Sequence, residues 1–153
     1  MSIYADSSFF VSLYLPDEHS AEARRLARHH QRVWLTPLHR AEWAHAVALR
    51  LFQREISADE AQVITQNFER DRASQFWLSV PLPEMAFERC VQLAGQYGAR
   101  LGLATMDTLH VASALELGAE RFWTFDKRQA KLARAVGLKR PLKKSLNASC
   151  AVG

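Results

Sequence analysis

The sequence predicts an α/β fold in which helices cover both faces of a mainly parallel β-sheet. Short apolar stretches typical of strands alternate with helical patterns, and this alternation indicates a parallel sheet between two helical layers. The length of 153 residues suits one domain, because a chain of this size buries ~70% of its unfolded surface without a disulfide or structural metal. Hydrophobic residues make up 48% of the chain, which excludes a disordered protein.

The first half of the chain predicts two strands and the helices that follow them. Residues 2–6 form a short apolar stretch that ends in an Asp-Ser-Ser helix-start signal, and a second helical pattern opens at Pro16. Residues 33–35 form the second strand, after which Thr36 and Pro37 supply an N-cap and a proline at the first helical position. The next helix is expected to bury one apolar side, made of Leu38, Ala41, Ala44, Val47, Ala48, Leu51 and Phe52.

The second half completes the alternation. Ser57 with Glu60 three residues later is the pattern of a capping box, which starts a helix, and Thr105 is expected to cap a later, largely buried helix. The remaining elements are a strand at 76–82, a helix at 83–97, a helix at 105–117, a strand at 121–125 and a helix at 126–137. We therefore predict one domain over residues 1–144 and a flexible tail at 145–153.

Targeting and redox signals favour a cytoplasmic protein. No basic run precedes an apolar stretch at the N-terminus, so no signal peptide is visible, and no apolar run is long enough to span a bilayer. The two cysteines, Cys90 and Cys150, lack the spacing of a zinc knuckle or a disulfide framework, which fits a reducing compartment. We expect no membrane association.

The positive charge is unevenly distributed. The chain has 20 Lys and Arg against 16 Asp and Glu, a net charge of +4, and residues 127–153 contain eight cations and no carboxylate. A second cluster consists of Arg24, Arg25, Arg28 and Arg32. Basic segments attract polyanions such as nucleic acids, although a solvated helix face and a basic tail explain the pattern equally well.

Two aspartates follow predicted strands and precede helices. Asp6 comes after the first strand and Asp126 after the last. Because ligands of open α/β sheets bind outside the carboxyl ends of the strands, the two acids are candidates for one shared site. The alternative is that each aspartate only caps a helix.

Two further carboxylates lie on helices that carry apolar residues. Glu42 falls at the edge of an apolar stripe, where an ionised carboxylate is costly unless a metal or an arginine pairs with it. Asp107 lies in the first turn of an apolar helix, where capping is the alternative role. Thr124 is two residues before Asp126 and shares its face of an extended strand, so it is placed to orient a carboxylate or a bound water, or to serve as a buried structural threonine.

Four converging acids would repel one another unless cations lay between them. Ligation by oxygen alone favours Mg²⁺ or Mn²⁺ over zinc. A carboxylate cluster that holds one or two such ions beside a cationic surface suits phosphodiester cleavage, in which the metal activates water and stabilises charge on the phosphate oxygens.

Five segments in this order resemble the PIN domain, in particular the VapC-type toxin ribonucleases. They are YADSS at 4–8, AEW at 41–43, MDTLHVASA at 106–114, TFD at 124–126 and LARAVGL at 132–138. The resemblance covers residues 2–140 and implies a three-layer α/β/α sandwich. It further implies a metal-dependent endoribonuclease for single-stranded RNA that forms a homodimer and is neutralised by a small antitoxin.

The resemblance also implies roles for particular residues. The acidic metal-binding and catalytic positions of the family correspond to Asp6, Glu42, Asp107 and Asp126, and the polar positions beside them to Ser7 and Thr124. Many family members carry a basic residue just before the third acid, whereas residues 103–106 here read LATM. We expect the phosphate contacts to come instead from Lys127, Arg128, Arg24 and Arg28.

Three other functions are compatible with parts of the sequence. A catalytically inactive PIN-like module would bind nucleic acid or a protein partner without cleavage. The Glu42-x-x-His45 and Asp107-x-x-His110 pairs resemble those of di-metal oxidases, but strands interrupt the long helices that such sites need, so both histidines are expected in the core or behind the ligands. A phosphoaspartate site at Asp6 would need a second acid in the same loop.

Overall fold

The fold is an α/β/α sandwich around a four-stranded, entirely parallel sheet with strand order β3-β2-β1-β4. The computed structural model describes residues 1–29 and 32–141. It confirms the predicted fold class. The predicted tail at 145–153 lies outside the described residues, as does the end of the predicted domain.

The strands are short and the helices fill the intervals between them. The strands are β1 (Ile3–Ala5), β2 (Val33–Leu35), β3 (Leu78–Ser79) and β4 (Arg121–Trp123). The helices are α1 (Ser7–Tyr14), α2 (Ser20–His29), α3 (Pro37–Phe52), α4 (Ala58–Ala73), α5 (Met85–Leu93), α6 (Ala99–Leu101), α7 (Thr105–Glu116) and α8 (Lys127–Ala135). A π-helical turn (Ala94–Gly98) joins α5 to α6.

The two faces of the sheet pack into two separate cores because strand side chains alternate between them. Ile3 and Ala5 of β1 point into an aromatic core with α1 to α4. Tyr4, between them, points into a second core with α5, α7 and α8, where its ring stacks on that of Phe122. β1 is therefore buried on both of its faces, in the middle of the sandwich.

The buried side of α3 differs from the predicted one. His39, Trp43 and Val47 face the core, whereas most of the predicted apolar side is exposed, including Phe52 with 84% of its surface accessible. Alanine is the best helix former and is favourable on any face of a helix, so a stripe of alanines does not identify the buried face. The two large residues Trp43 and His39 decide the orientation.

Three local predictions also require correction. The third strand is only Leu78–Ser79, and the helix predicted at 83–97 is interrupted by the π-helical turn. Thr105 is the first residue of α7 and Ala104 occupies the N-cap position. The capping box of Ser57 and Glu60 is present, with both reciprocal hydrogen bonds formed.

Within residues 1–29 and 32–141, no helix combines the length and the apolar character that crossing a membrane requires.

Candidate active site

The parallel sheet brings the carboxyl ends of β1 and β4 together, at the end of the sheet that we call its carboxyl edge. Asp6 directly follows β1, and Thr124 directly follows β4. The chain leaves β1 toward β2 on one side, whereas β4 pairs with β1 on the other, so a topological switch point lies between β1 and β4. This crevice outside the carboxyl ends is the place where open α/β sheets bind ligands.

Asp6 is buried at this edge and held by three donors. Its Oδ1 accepts hydrogen bonds from the Ser8 hydroxyl at 2.5 Å and from the Phe9 N–H at 3.4 Å, and its Oδ2 accepts one from the Thr124 hydroxyl at 3.0 Å. Burial raises the pKa of Asp6, and the hydrogen bonds and the nearby His110 only partly offset this rise. The contact with the Phe9 N–H also makes Asp6 the N-cap of α1, so capping and a role in the site coexist.

Glu42 reaches the same edge from α3. Its Oε2 accepts hydrogen bonds from the Ser7 hydroxyl and from the Nε2 of His110 on α7. Burial acts to raise the pKa of Glu42, but the hydrogen bond and charge of His110, together with the Ser7 hydroxyl, outweigh it and lower the pKa. Glu42 is therefore held in its ionised form beside Ser7, the residue that follows Asp6 in the chain.

Asp107 and Asp126 form the other half of the edge. Asp126 is the N-cap of α8, and its Oδ1 accepts the backbone N–H groups of Arg128 and Gln129 at 2.8 Å. Asp107 lies in the first turn of α7, and its pKa is raised by burial and then by the charge of Asp126. The hydroxyl of Thr124 accepts the Asp126 N–H at 3.0 Å while it donates to Asp6, so it connects the two halves.

The four acids share one edge but do not form a closed cage. Among residues 1–29 and 32–141, no three His, Cys, Asp or Glu side chains lie close enough together to hold a metal ion. Mg²⁺ seldom needs such a cage, because it usually keeps several waters and binds one or two carboxylates. The arrangement therefore fits a hydrated ion better than one enclosed by protein.

The donor chemistry of the site also fits a divalent cation. The acids supply only oxygen, the preferred ligand of Mg²⁺ and Mn²⁺. Within the part of the chain that the structure describes, Asp6, Asp107 and Asp126 form no ion pair with a basic side chain. Burial raises the pKa of Asp6 and of Asp107 in spite of the donors around them, so a cation bound between them would favour their ionised forms.

The predicted basic contacts fall at two different places. Lys127 and Arg128 are exposed in the first turn of α8 beside Asp126, and the guanidinium of Arg128 donates to the Gly102 carbonyl at 2.9 Å. Arg24 and Arg28 instead line a groove with Trp77, which directly precedes β3 and therefore lies at the opposite edge of the sheet. The structure does not bring these two arginines to the carboxylates.

Sequence reasoning missed Gln129, which supports the acids from α8, and was wrong about His45. Gln129 is fully buried, and its amide donates to the Asp107 backbone carbonyl at 3.0 Å, which ties α8 to α7. His110, expected in the core or behind the ligands, is buried there and contacts Glu42, whereas His45 is exposed. Gln129 lies three residues after Asp126, about one helical turn, and this spacing is the signal that could have identified it.

The comparisons with known proteins agree with this architecture. A profile of the PIN domain family matches residues 3–135. The structure is similar to that of VapC20 from Mycobacterium tuberculosis, described as a sarcin-ricin loop cleaving toxin, with a TM-score of 0.65 and 18% identity over 90% of this chain and 96% of that chain. It is also similar to FitAcB from Neisseria gonorrhoeae, with a TM-score of 0.62 and 18% identity over 86% of this chain and 93% of that chain. No curated protein matches the sequence.

Proposed function

This chain belongs to the PIN domain family, and on that premise we propose that it is a Mg²⁺- or Mn²⁺-dependent endoribonuclease that hydrolyses single-stranded RNA. The observation that carries the proposal is the meeting of Asp6, Glu42, Asp107 and Asp126 at the carboxyl edge of the sheet. Burial raises the pKa of Asp6 and of Asp107, and a bound cation would offset this rise, which supports a role of both acids in holding an ion.

The residues of this edge have distinct parts in the proposed reaction. When bound, a divalent ion lowers the pKa of water and stabilises charge on phosphate oxygens. The four carboxylates would hold one or two such ions, while the Ser7 and Thr124 hydroxyls orient Glu42 and Asp6. Lys127, which is exposed beside Asp126, would contact the RNA backbone.

We further propose that the protein is the toxin of a toxin–antitoxin pair in the cytoplasm. The support is its fold, which is shared with VapC20, a sarcin-ricin loop cleaving toxin. A small antitoxin would cover the carboxylate edge, and the active protein would be a homodimer. The net charge of +4 favours RNA as the substrate.

The proposal is tested by incubating the purified protein, free of any co-purified inhibitor, with labelled single-stranded RNA. We expect cleavage with Mg²⁺ or Mn²⁺, none with EDTA, and products that carry 5′-phosphate and 3′-hydroxyl ends. A 2′,3′-cyclic phosphate would mean that the ribose hydroxyl attacks instead of water. Cleavage that persists in EDTA would contradict metal dependence.

A second candidate function is a PIN-like module that binds RNA or a partner without cleaving. The absence of a three-ligand metal group among residues 1–29 and 32–141 favours it. The same assay separates the two functions, because the module would retain RNA in a binding assay without metal-dependent products.

We expect Lys127→Ala to weaken RNA binding, whereas Arg24→Ala leaves it unchanged. Lys127 is exposed beside Asp126, but Arg24 lines the groove at the opposite edge of the sheet. A plot of the logarithm of the binding constant against the logarithm of the salt concentration has a negative slope. Loss of one phosphate contact makes this slope shallower by about one unit. Fluorescence anisotropy in EDTA, over a range of NaCl concentrations, measures binding without cleavage. A loss confined to Arg24→Ala would show that RNA follows the other edge.

A further inference from the structure

We propose that His110 is a positioning residue that holds the Glu42 carboxylate in place for the metal, through a ring orientation fixed by Tyr4. This inference rests on the proposed function, in which Glu42 is a metal ligand. His110 itself touches neither the ion nor the RNA in this scheme.

The position of His110 is determined on both sides of its ring. Only 2% of the residue is accessible to solvent. Its Nδ1 lies 2.9 Å from the Tyr4 hydroxyl, and its Nε2 contacts the Oε2 of Glu42 and lies 3.1 Å from the Ser7 hydroxyl. One imidazole thus connects α3 and α7, which carry Glu42 and Asp107, with β1 and α1, which flank Asp6.

The two ring nitrogens have different partners. The ionised carboxylate of Glu42 only accepts hydrogen bonds, so the contact with His110 requires a proton on Nε2. Nδ1 faces the Tyr4 hydroxyl, so both ring nitrogens are engaged by side chains. A partner that fixes the ring in this way is typical of residues that orient metal ligands from behind.

A second buried histidine shows what a purely structural role looks like in this protein. His39 is fully buried, and its ring contacts Thr36 and the backbone carbonyl of Ala5 at 2.7 Å. None of its hydrogen bonds reaches a carboxylate of the site. The contact of His110 with Glu42 is what distinguishes it from His39.

The test measures Mn²⁺ binding by electron paramagnetic resonance, separately from RNA cleavage. We expect His110→Ala to weaken Mn²⁺ affinity about 10- to 100-fold, with cleavage recovering as Mn²⁺ is raised. His110→Gln, whose amide nitrogen can occupy the position of Nε2, should recover most of the affinity. His45→Ala, which removes an exposed imidazole from α3, is the matched control and should bind Mn²⁺ like the unaltered protein.

Melting curves in EDTA establish that each variant is folded. Should His110→Ala fail to fold, Tyr4→Phe takes its place, because it removes the hydroxyl that fixes the ring, and a several-fold weaker Mn²⁺ affinity is expected. Unchanged Mn²⁺ affinity in the folded variants would overturn the inference while leaving the proposed function intact. A changed preference between Mn²⁺ and Mg²⁺ would also overturn it, because His110 would then be a direct ligand. An unaltered protein that neither binds Mn²⁺ nor cleaves RNA would overturn the proposed function itself.

Discussion

Replacing Asp6 by asparagine is expected to reduce RNA cleavage by at least about a hundredfold, because residues that merely orient a metal ligand are already worth about 10- to 100-fold. Asparagine keeps an oxygen for the Ser8 hydroxyl and the Phe9 N–H, which bond the same Oδ1 atom of Asp6. The cap of α1 is therefore retained, whereas the charge and the acceptor for the Thr124 hydroxyl are lost. Initial cleavage rates at saturating Mn²⁺ measure the effect.

The same substitution should not destabilise the metal-free protein. Burial raises the pKa of Asp6 in the folded state, so the folded protein binds more protons than the unfolded chain between the two pKa values. The free energy of unfolding then falls as the pH rises through this range. At pH 7 in EDTA, Asp6→Asn is expected to melt at the same temperature as the unaltered protein or higher.

Asp59→Asn serves as the control for Asp6→Asn, because Asp59 lies exposed in the first turn of α4. It should cleave RNA at the rate of the unaltered protein. If Asp6→Asn also cleaved at that rate while folded, Asp6 would not belong to the metal site.

The sequence predicts the strands of this fold better than the orientation of its helices. Polar residues precede residues 33–35, and Thr36 and Pro37 follow them. β2 begins and ends where this pattern predicts. Phe9, Phe10 and Trp77 are aromatic residues that would suit a dimer interface equally well, but they are buried in the core. Hydrophobicity alone does not distinguish an interface from a core, since both bury aromatic side chains.

The acids of the site are visible in the sequence because local rules apply to them. An aspartate after a strand and before a helix occupies a defined position, and both Asp6 and Asp126 are N-caps there. Their connections are long-range and follow no local rule. Tyr4 meets His110 across 106 positions and Thr124 meets Asp6 across 118, so only the folded chain reveals these contacts.

Trp77→Ala is expected to lower the free energy of unfolding by about 3–5 kcal/mol, a large part of the ~5–15 kcal/mol that is typical of a domain. Trp77 is 1% exposed, and its ring packs edge-on against Phe10 at 5.3 Å and Phe9 at 6.0 Å. Its indole N–H donates to the Tyr14 hydroxyl at 2.7 Å. Alanine would leave a cavity between these rings and remove that donor. Urea denaturation measures the loss.

The neighbouring Phe76 provides the matched control, because 52% of its surface is already exposed. Phe76→Ala should lower the free energy of unfolding by at most about 1 kcal/mol, since much less apolar area leaves the core.

Phe9 and Phe10 belong to α1, whose first turn carries Ser7, so Trp77 supports the site only through the packing of that helix. Trp77→Ala should therefore lose activity at a lower temperature while its Mn²⁺ affinity stays unchanged below its melting transition. Equal losses for Trp77→Ala and Phe76→Ala would contradict the buried position of Trp77.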